Sequence, residues 1–214
     1  GLAWYDKNDY DRAIADFSAS IRLNPQDASP WAGRGAAYMY KNDLKQAIAD
    51  FSEGIKLKPG QAFAHMQRGI AYHRIGDSDN ALTDYTIAHE LTPKDPNPLV
   101  NRGIVYYTKK GKFDEAVADF NLALKLNPKE VNALINRGVT WRQRNHPDRA
   151  IVDFTEAVRL GLQTSDILRL TQKDKDGKKD PAAAQTADQV ANAYYQRGMA
   201  LIDKQEYEAA VKDF

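Results

Sequence analysis

The sequence predicts an all-α chain of stacked helix-turn-helix repeats, and three observations predict it. Glycine followed three residues later by an aromatic residue or leucine recurs at Gly1, Gly35, Gly69, Gly103, Gly138 and Gly198, with Trp4, Tyr38, Tyr72, Tyr106, Trp141 and Leu201. The first three steps are 34 residues, the next 35 and the last 60. Alanine with a ring four residues later recurs at Ala13/Phe17, Ala47/Phe51, Ala81/Tyr85, Ala116/Phe120, Ala150/Phe154 and Ala210/Phe214. Leucine and proline close the unit at Leu23/Pro25, Leu57/Pro59, Leu91/Pro93 and Leu126/Pro128. A unit that cannot bury its apolar stripe alone must stack on its copies, and a fixed period is the mark of that solution.

The clearest unit runs from Phe113 to Trp141. Phe113, Ala116, Phe120, Ala123 and Leu126 fall in steps of three and four, which lays one stripe along a helix. Asn127-Pro128 ends it, because the residue before proline is pushed out of the α region. A second helix follows with Leu134, Gly138 and Trp141 on one side, and the glycine lets another helix come close.

In chain order, residues 1–27 form a partial repeat, with its second helix from Tyr10 to Leu23. Complete repeats are expected at 28–61, 62–95, 96–130 and 131–162, an insert at 163–187 and a partial repeat at 188–214. The turns within repeats carry Asn8, Asn42, Gly76, Gly111, Asn145 and Gln205. Glycine and asparagine tolerate the left-handed conformation that ends a helix, so Gln205 is the outlier. Pro30, Pro96 and Pro98 fall in first turns, where a missing N–H is harmless, and Pro147 opens the second helix of repeat five. Leu162 stands where that repeat's closing proline is expected. Within the insert, Asp180-Pro181 reads as an N-cap and first helical residue, so the insert is expected to extend the next first helix backwards. Ile167, Leu168 and Leu170 are its apolar anchor, and 171–180 is a solvated charged loop. Asp174 and Asp176 resemble a fragment of a calcium loop, but Gln172 and Ala183 stand where such a loop continues, and neither is a carboxylate.

Composition narrows the function classes. Thirty basic and 29 acidic residues leave a net charge of +1, which directs no bulk field at nucleic acid. No apolar run approaches bilayer length, so no membrane insertion is expected. Cysteine is absent, which fits a reducing or an oxidising compartment equally, the cytoplasm or a bacterial periplasm. The chain opens inside a repeat, and its natural start is expected to lie further upstream. His65, His73, His89 and His146 lack metal-ligand spacing, and His65 shares a packing column with Trp31 and Leu134. No catalytic or cofactor motif is present, so the reading is a non-enzyme without cofactors.

Two charged columns move together. Arg34, Arg68, Arg102, Arg137 and Arg197 precede glycines, while Asp16, Asp50, Asp84, Asp119, Asp153 and Asp213 precede the rings. An unpaired buried arginine is costly, so each is expected to be held by an aspartate of its own repeat or the next.

A 34-residue unit with these columns resembles the tetratricopeptide repeat, in the bacterial-type form with an RG…ADF pattern. The resemblance covers nearly the whole chain outside 163–187 and implies a right-handed superhelical solenoid. It also implies a non-catalytic scaffold that binds an extended peptide of a partner protein along the concave groove of the first helices. Once packing columns are removed, that face comprises Phe63, Met66, Gln67, Ile70 and Arg74 in repeat three, and Asn97, Val100, Asn101 and Ile104 in repeat four. Repeat five adds Asn132, Ile135, Asn136, Val139 and Arg142, and repeat six Asn192, Tyr195, Gln196 and Met199. Apolar residues interleaved with amides suit a peptide backbone and its side chains. The chaperone-tail clamp of the family uses lysine where this chain has Ala32, Met66, Val100, Ile135 and Tyr195, so that ligand class is not expected. Arg74 and Arg142 remain available for a carboxylate. The alternative reading is a self-assembly module whose copies join through their ends or groove.

Overall fold

The structure, a computed structural model, describes residues 1–2, 9–109, 111–163 and 181–213. Its regular elements are all α-helical among these residues. They are α1 (Tyr10–Leu23), α2 (Ala28–Tyr40), α3 (Leu44–Leu57), α4 (Ala62–Ile75), α5 (Ser78–Leu91), α6 (Asn97–Lys109), α7 (Phe113–Leu126), α8 (Val131–Gln143), α9 (Pro147–Gln163), α10 (Pro181–Asp203) and α11 (Tyr207–Val211). The chain divides into two compact units, Gly1–Val105 and Tyr106–Phe214.

In the first unit α1 packs on α2, α2 on α3, α3 on α4 and α4 on α5, and the first helices α2 and α4 also touch. In the second unit α7 packs on α8, α8 on α9, α9 on α10 and α10 on α11, with the first helices α8 and α10 in contact. Alanine and ring, four residues apart on each second helix, are the centre of this packing. Ala47/Phe51, Ala81/Tyr85, Ala116/Phe120 and Ala150/Phe154 are all fully buried.

The recurrent glycine answers to those rings rather than to a helix backbone. A Cβ on Gly69 would stand 2.8 Å from the Tyr85 ring, and one on Gly138 would stand 2.6 Å from the Phe154 ring. Each ring lies against the backbone of its partner helix, and only glycine leaves it room.

The turns follow local chemistry. Asn42, Gly76, Gly111, Asn145 and Gln205 all adopt positive φ, so Gln205 takes the left-handed turn despite its β-carbon. Asn8 lies outside the described residues. Helices α1, α3, α5 and α7 end at the leucine two residues before proline, and their caps Asn24, Lys58, Thr92 and Asn127 turn to ψ between 70° and 97°. Without that proline α9 runs on to Gln163, 17 residues against the usual 14. Gly161 on this extra turn leaves space for Val190 of α10. Helix α10 does begin at Pro181 and is 23 residues long, as Asp180-Pro181 leads one to expect. Residues 167–180, with the apolar anchor and the calcium-like fragment, lie outside the described residues.

The second helices of the first unit carry aspartate caps that the sequence reading passed over. Asp9, Asp43 and Asp77 accept from the backbone N–H three residues on, at 3.2, 3.3 and 3.2 Å. Lys112 and Glu206 occupy the same place in the second unit and cap nothing with their side chains.

Candidate functional site

The arginine column is internal. Arg34, Arg68, Arg137 and Arg197 each donate Nε and Nη2 to the two carboxylate oxygens of Asp50, Asp84, Asp153 and Asp213, the aspartate of the same repeat. Such forks are the strong geometry for this pair. The third donor, Nη1, reaches the second helix of the preceding repeat: Arg34 to Ser18 at 2.9 Å, Arg68 to Ser52 at 3.0 Å, Arg102 to Thr86 at 2.9 Å and Arg137 to Asn121 at 2.6 Å. Each of these arginines therefore ties adjacent repeats together. Hydrogen bonding to the aspartate holds Arg34, Arg68 and Arg197 above the ordinary guanidinium value. Burial pushes the Asp153 carboxyl up, against the opposing pull of Arg137.

The sequence reading missed the acceptors of that third bond. Ser18, Ser52, Thr86 and Asn121 each follow a core ring, and a column of short polar side chains was there to be read. It also missed a charged rung at the turn ends, where Lys41 pairs with Asp11, Arg144 with Asp114 and Lys204 with Asp148. These pairs are largely exposed and add little stability each.

His65 is packed, as its column suggested. It is 4 % exposed, with Nδ1 at 2.8 Å from Asp84 and Nε2 at 3.1 Å from the Pro59 carbonyl. Trp31 uses its indole N–H in the same way, donating to the Pro25 carbonyl at 3.2 Å. No described group of three or more metal-ligating side chains is placed to hold an ion, and no described helix is long and apolar enough to cross a membrane.

The first-helix faces are what the packing leaves open. In the first unit Phe63 is 55 % exposed, Arg74 and Asn97 are exposed, and Met66, Gln67, Ile70, Asn101 and Ile104 are half-buried. In the second unit Tyr195 is 52 % exposed and Asn192 is exposed, while Asn132, Asn136, Val139, Arg142, Gln196 and Met199 are half-buried. Two expected lining residues belong elsewhere. Val100 and Ile135 are 5 % and 4 % exposed, so they sit in the core and cannot line a surface.

The polar groups on these faces are partly committed to the fold. The Asn101 and Asn136 amides donate to the carbonyls of Asn97 and Asn132 at 3.0 and 2.8 Å, one helical turn back. The Asn136 oxygen accepts from the Tyr107 hydroxyl at 3.3 Å, and Gln189 donates to Asn132 at 3.0 Å. Arg142 already meets a carboxylate of its own chain: it donates to Asp203 at 2.8 Å and to Gln196 at 3.0 Å. Arg74 donates to Asn42 at 2.6 Å. Among the apolar side chains named for these faces, Phe63 and Tyr195 are the most exposed.

Family models described as TPR repeat match residues 1–39 and 35–76, and models described as tetratricopeptide repeat match 105–161 and 191–214. No curated protein matches the chain. Among solved structures, MamA from Desulfovibrio magneticus RS-1 is 18 % identical, with TM-score 0.72, over 77 % of this chain and 92 % of that one. A tetratricopeptide repeat protein from Parabacteroides merdae is 21 % identical, with TM-score 0.68, over 99 % and 87 %. YrrB, described as a TPR protein with an unusual peptide-binding site, is 19 % identical, with TM-score 0.63, over 92 % and 88 %. At these identities the likeness is one of fold.

Proposed function

Because the chain belongs to the tetratricopeptide repeat family, we propose that it is a non-catalytic scaffold whose first-helix faces bind an extended segment of a partner protein. The observation that carries this reading is the exposure of Phe63 and Tyr195, at 55 % and 52 %, among exposed and half-buried amides on the first helices. Large apolar side chains held open among amides are what a peptide surface offers. The peptide-binding site named for YrrB supports the reading by analogy of fold alone. Because the amide donors are partly spent, apolar contact supplies most of the affinity, and the amide column mainly orients the ligand. Each unit is read as presenting its own face, Phe63 to Ile104 in the first and Asn132 to Met199 in the second.

Photo-crosslinking tests the proposal. A benzophenone amino acid placed at Phe63 or Tyr195 is expected to capture an extended segment of a partner in the native host. The same group at Leu23 or Val152, which are 88 % and 67 % exposed on second helices, serves as control. Partner capture only from the control positions refutes the assignment. Crosslinks at Phe63 or Tyr195 that join only two copies of this chain favour self-assembly instead.

A further inference from the structure

His65 is a buried titratable side chain that the peptide-binding reading leaves unused. Its packing column holds Trp31 in repeat two and Leu99 and Leu134 in repeats four and five, so packing alone does not call for an imidazole. Both of its ring nitrogens face acceptors, Nδ1 at 2.8 Å from Asp84 Oδ1 and Nε2 at 3.1 Å from the Pro59 carbonyl. The carbonyl can only accept, and Trp31, whose indole N–H can only donate, makes the same contact with Pro25 at 3.2 Å. Asp84 takes Arg68 Nε on Oδ2 at 2.8 Å and Arg68 Nη2 on Oδ1 at 2.9 Å, the fork that an ionised carboxylate receives. A neutral imidazole has one N–H and one bare nitrogen, so it would set a lone pair against an oxygen on one side or the other.

We infer that His65 is held in the fold as the doubly protonated imidazolium and acts as a pH-sensitive clasp, joining α4 to the Asp84 carboxylate of α5 and to the chain that leads into α4. A buried charge is tolerated when it is paired and its N–H groups are bonded, and both conditions are met here. Gln61, the N-cap of α4, makes no side-chain capping bond, so the ring supplies a side-chain tie at a helix start that has no side-chain cap. The helices packed against α4 are α2, α3 and α5. Arg34 of α2 and Asp50 of α3 pair with each other, and Glu53 of α3 pairs with Lys56 at 3.6 Å. Helix α5 adds exposed Asp79 and Glu90, and also Tyr85 and His89, whose hydroxyl and Nδ1 are buried without a partner among the described residues. Lys58, in the chain before α4, is exposed. A histidine of the unfolded chain gives up one ring proton near neutrality, whereas the folded ring spends both on bonds. The clasp therefore stabilises fully on the acid side, and its contribution is lost as pH rises and the proton leaves the folded ring.

The test uses the whole chain with isotope-labelled histidine ring nitrogens. At neutral pH both His65 nitrogens are expected at the resonance position of N–H nitrogens, with the exposed ring of His146 as comparison in the same sample. A bare nitrogen at either His65 position at neutral pH overturns the proposal. The variant His65→Leu, which takes the leucine of repeats four and five, identifies the signals and gives a second readout. In urea denaturation from mildly acidic to mildly alkaline pH, the parent is expected to lose stability relative to this variant as pH rises. The loss amounts to at most about tenfold in the folding equilibrium for each pH unit, the limit set by one proton. Parent and variant curves that run parallel across pH overturn the clasp. Where His65→Leu fails to fold, the ring spectrum of the parent decides: two N–H nitrogens uphold the proposal and one refutes it.

Discussion

Removing one arginine of the internal ladder has a calculable cost. Asp153 is 3 % exposed and takes two hydrogen bonds from Arg137, at 2.9 and 2.6 Å. Arg137→Leu abolishes both and leaves a buried carboxylate already disfavoured by its surroundings. Breaking a buried pair from one side typically costs about 3–5 kcal/mol. The Arg137 side chain is 22 % exposed, so water partly solvates the vacated site and the lower end applies, about 3 kcal/mol. For a chain of this size that lowers the melting midpoint by roughly 6–12 °C. The double change Arg137→Leu with Asp153→Leu removes both charges and is expected to cost far less, since apolar replacement of a buried pair is often close to neutral. Thermal melts followed by far-ultraviolet circular dichroism on parent, single and double variants measure all three. If the double variant melts as low as the single, the damage comes from lost packing or from the Asn121 bond. A single variant that melts like the parent refutes the ladder altogether.

Two further outcomes follow from particular side chains. Tyr85 is fully buried where the other repeats have phenylalanine, and its hydroxyl has no hydrogen-bond partner among the described residues; Tyr85→Phe is expected to raise stability by about 1 kcal/mol in urea denaturation, and a loss of that size would mean the hydroxyl is satisfied. Lys112 has the cap geometry of Asp43, with φ −89° and ψ 74° against −87° and 75°; Lys112→Asp is expected to add about 1 kcal/mol, and an unchanged midpoint would show that this turn does not set the stability of α7.

The helices themselves were legible in the sequence because their causes are local. Leu-x-Pro stops a helix wherever it occurs, and Asn42 or Gly76 permits a left-handed turn through its own backbone preference. The 34-residue columns of alanine, ring and glycine likewise told which residues meet, since a repeated unit repeats its contacts. Packing between helices decided the rest. Arginine and aspartate columns were visible, but only the helix crossing gave Arg34, Arg68 and Arg137 the aspartate of their own repeat and a hydroxyl or amide of the preceding one. Val100, Ile135, Phe63 and Tyr195 looked alike as candidate lining, yet neighbouring helices bury the first two and leave the others open. The amides of Asn101 and Asn136 read as free for a ligand, and the fold spends a donor of each on the preceding turn. Hydrogen bonds and burial of this kind depend on distances between segments far apart in the chain, which periodicity along one helix does not encode.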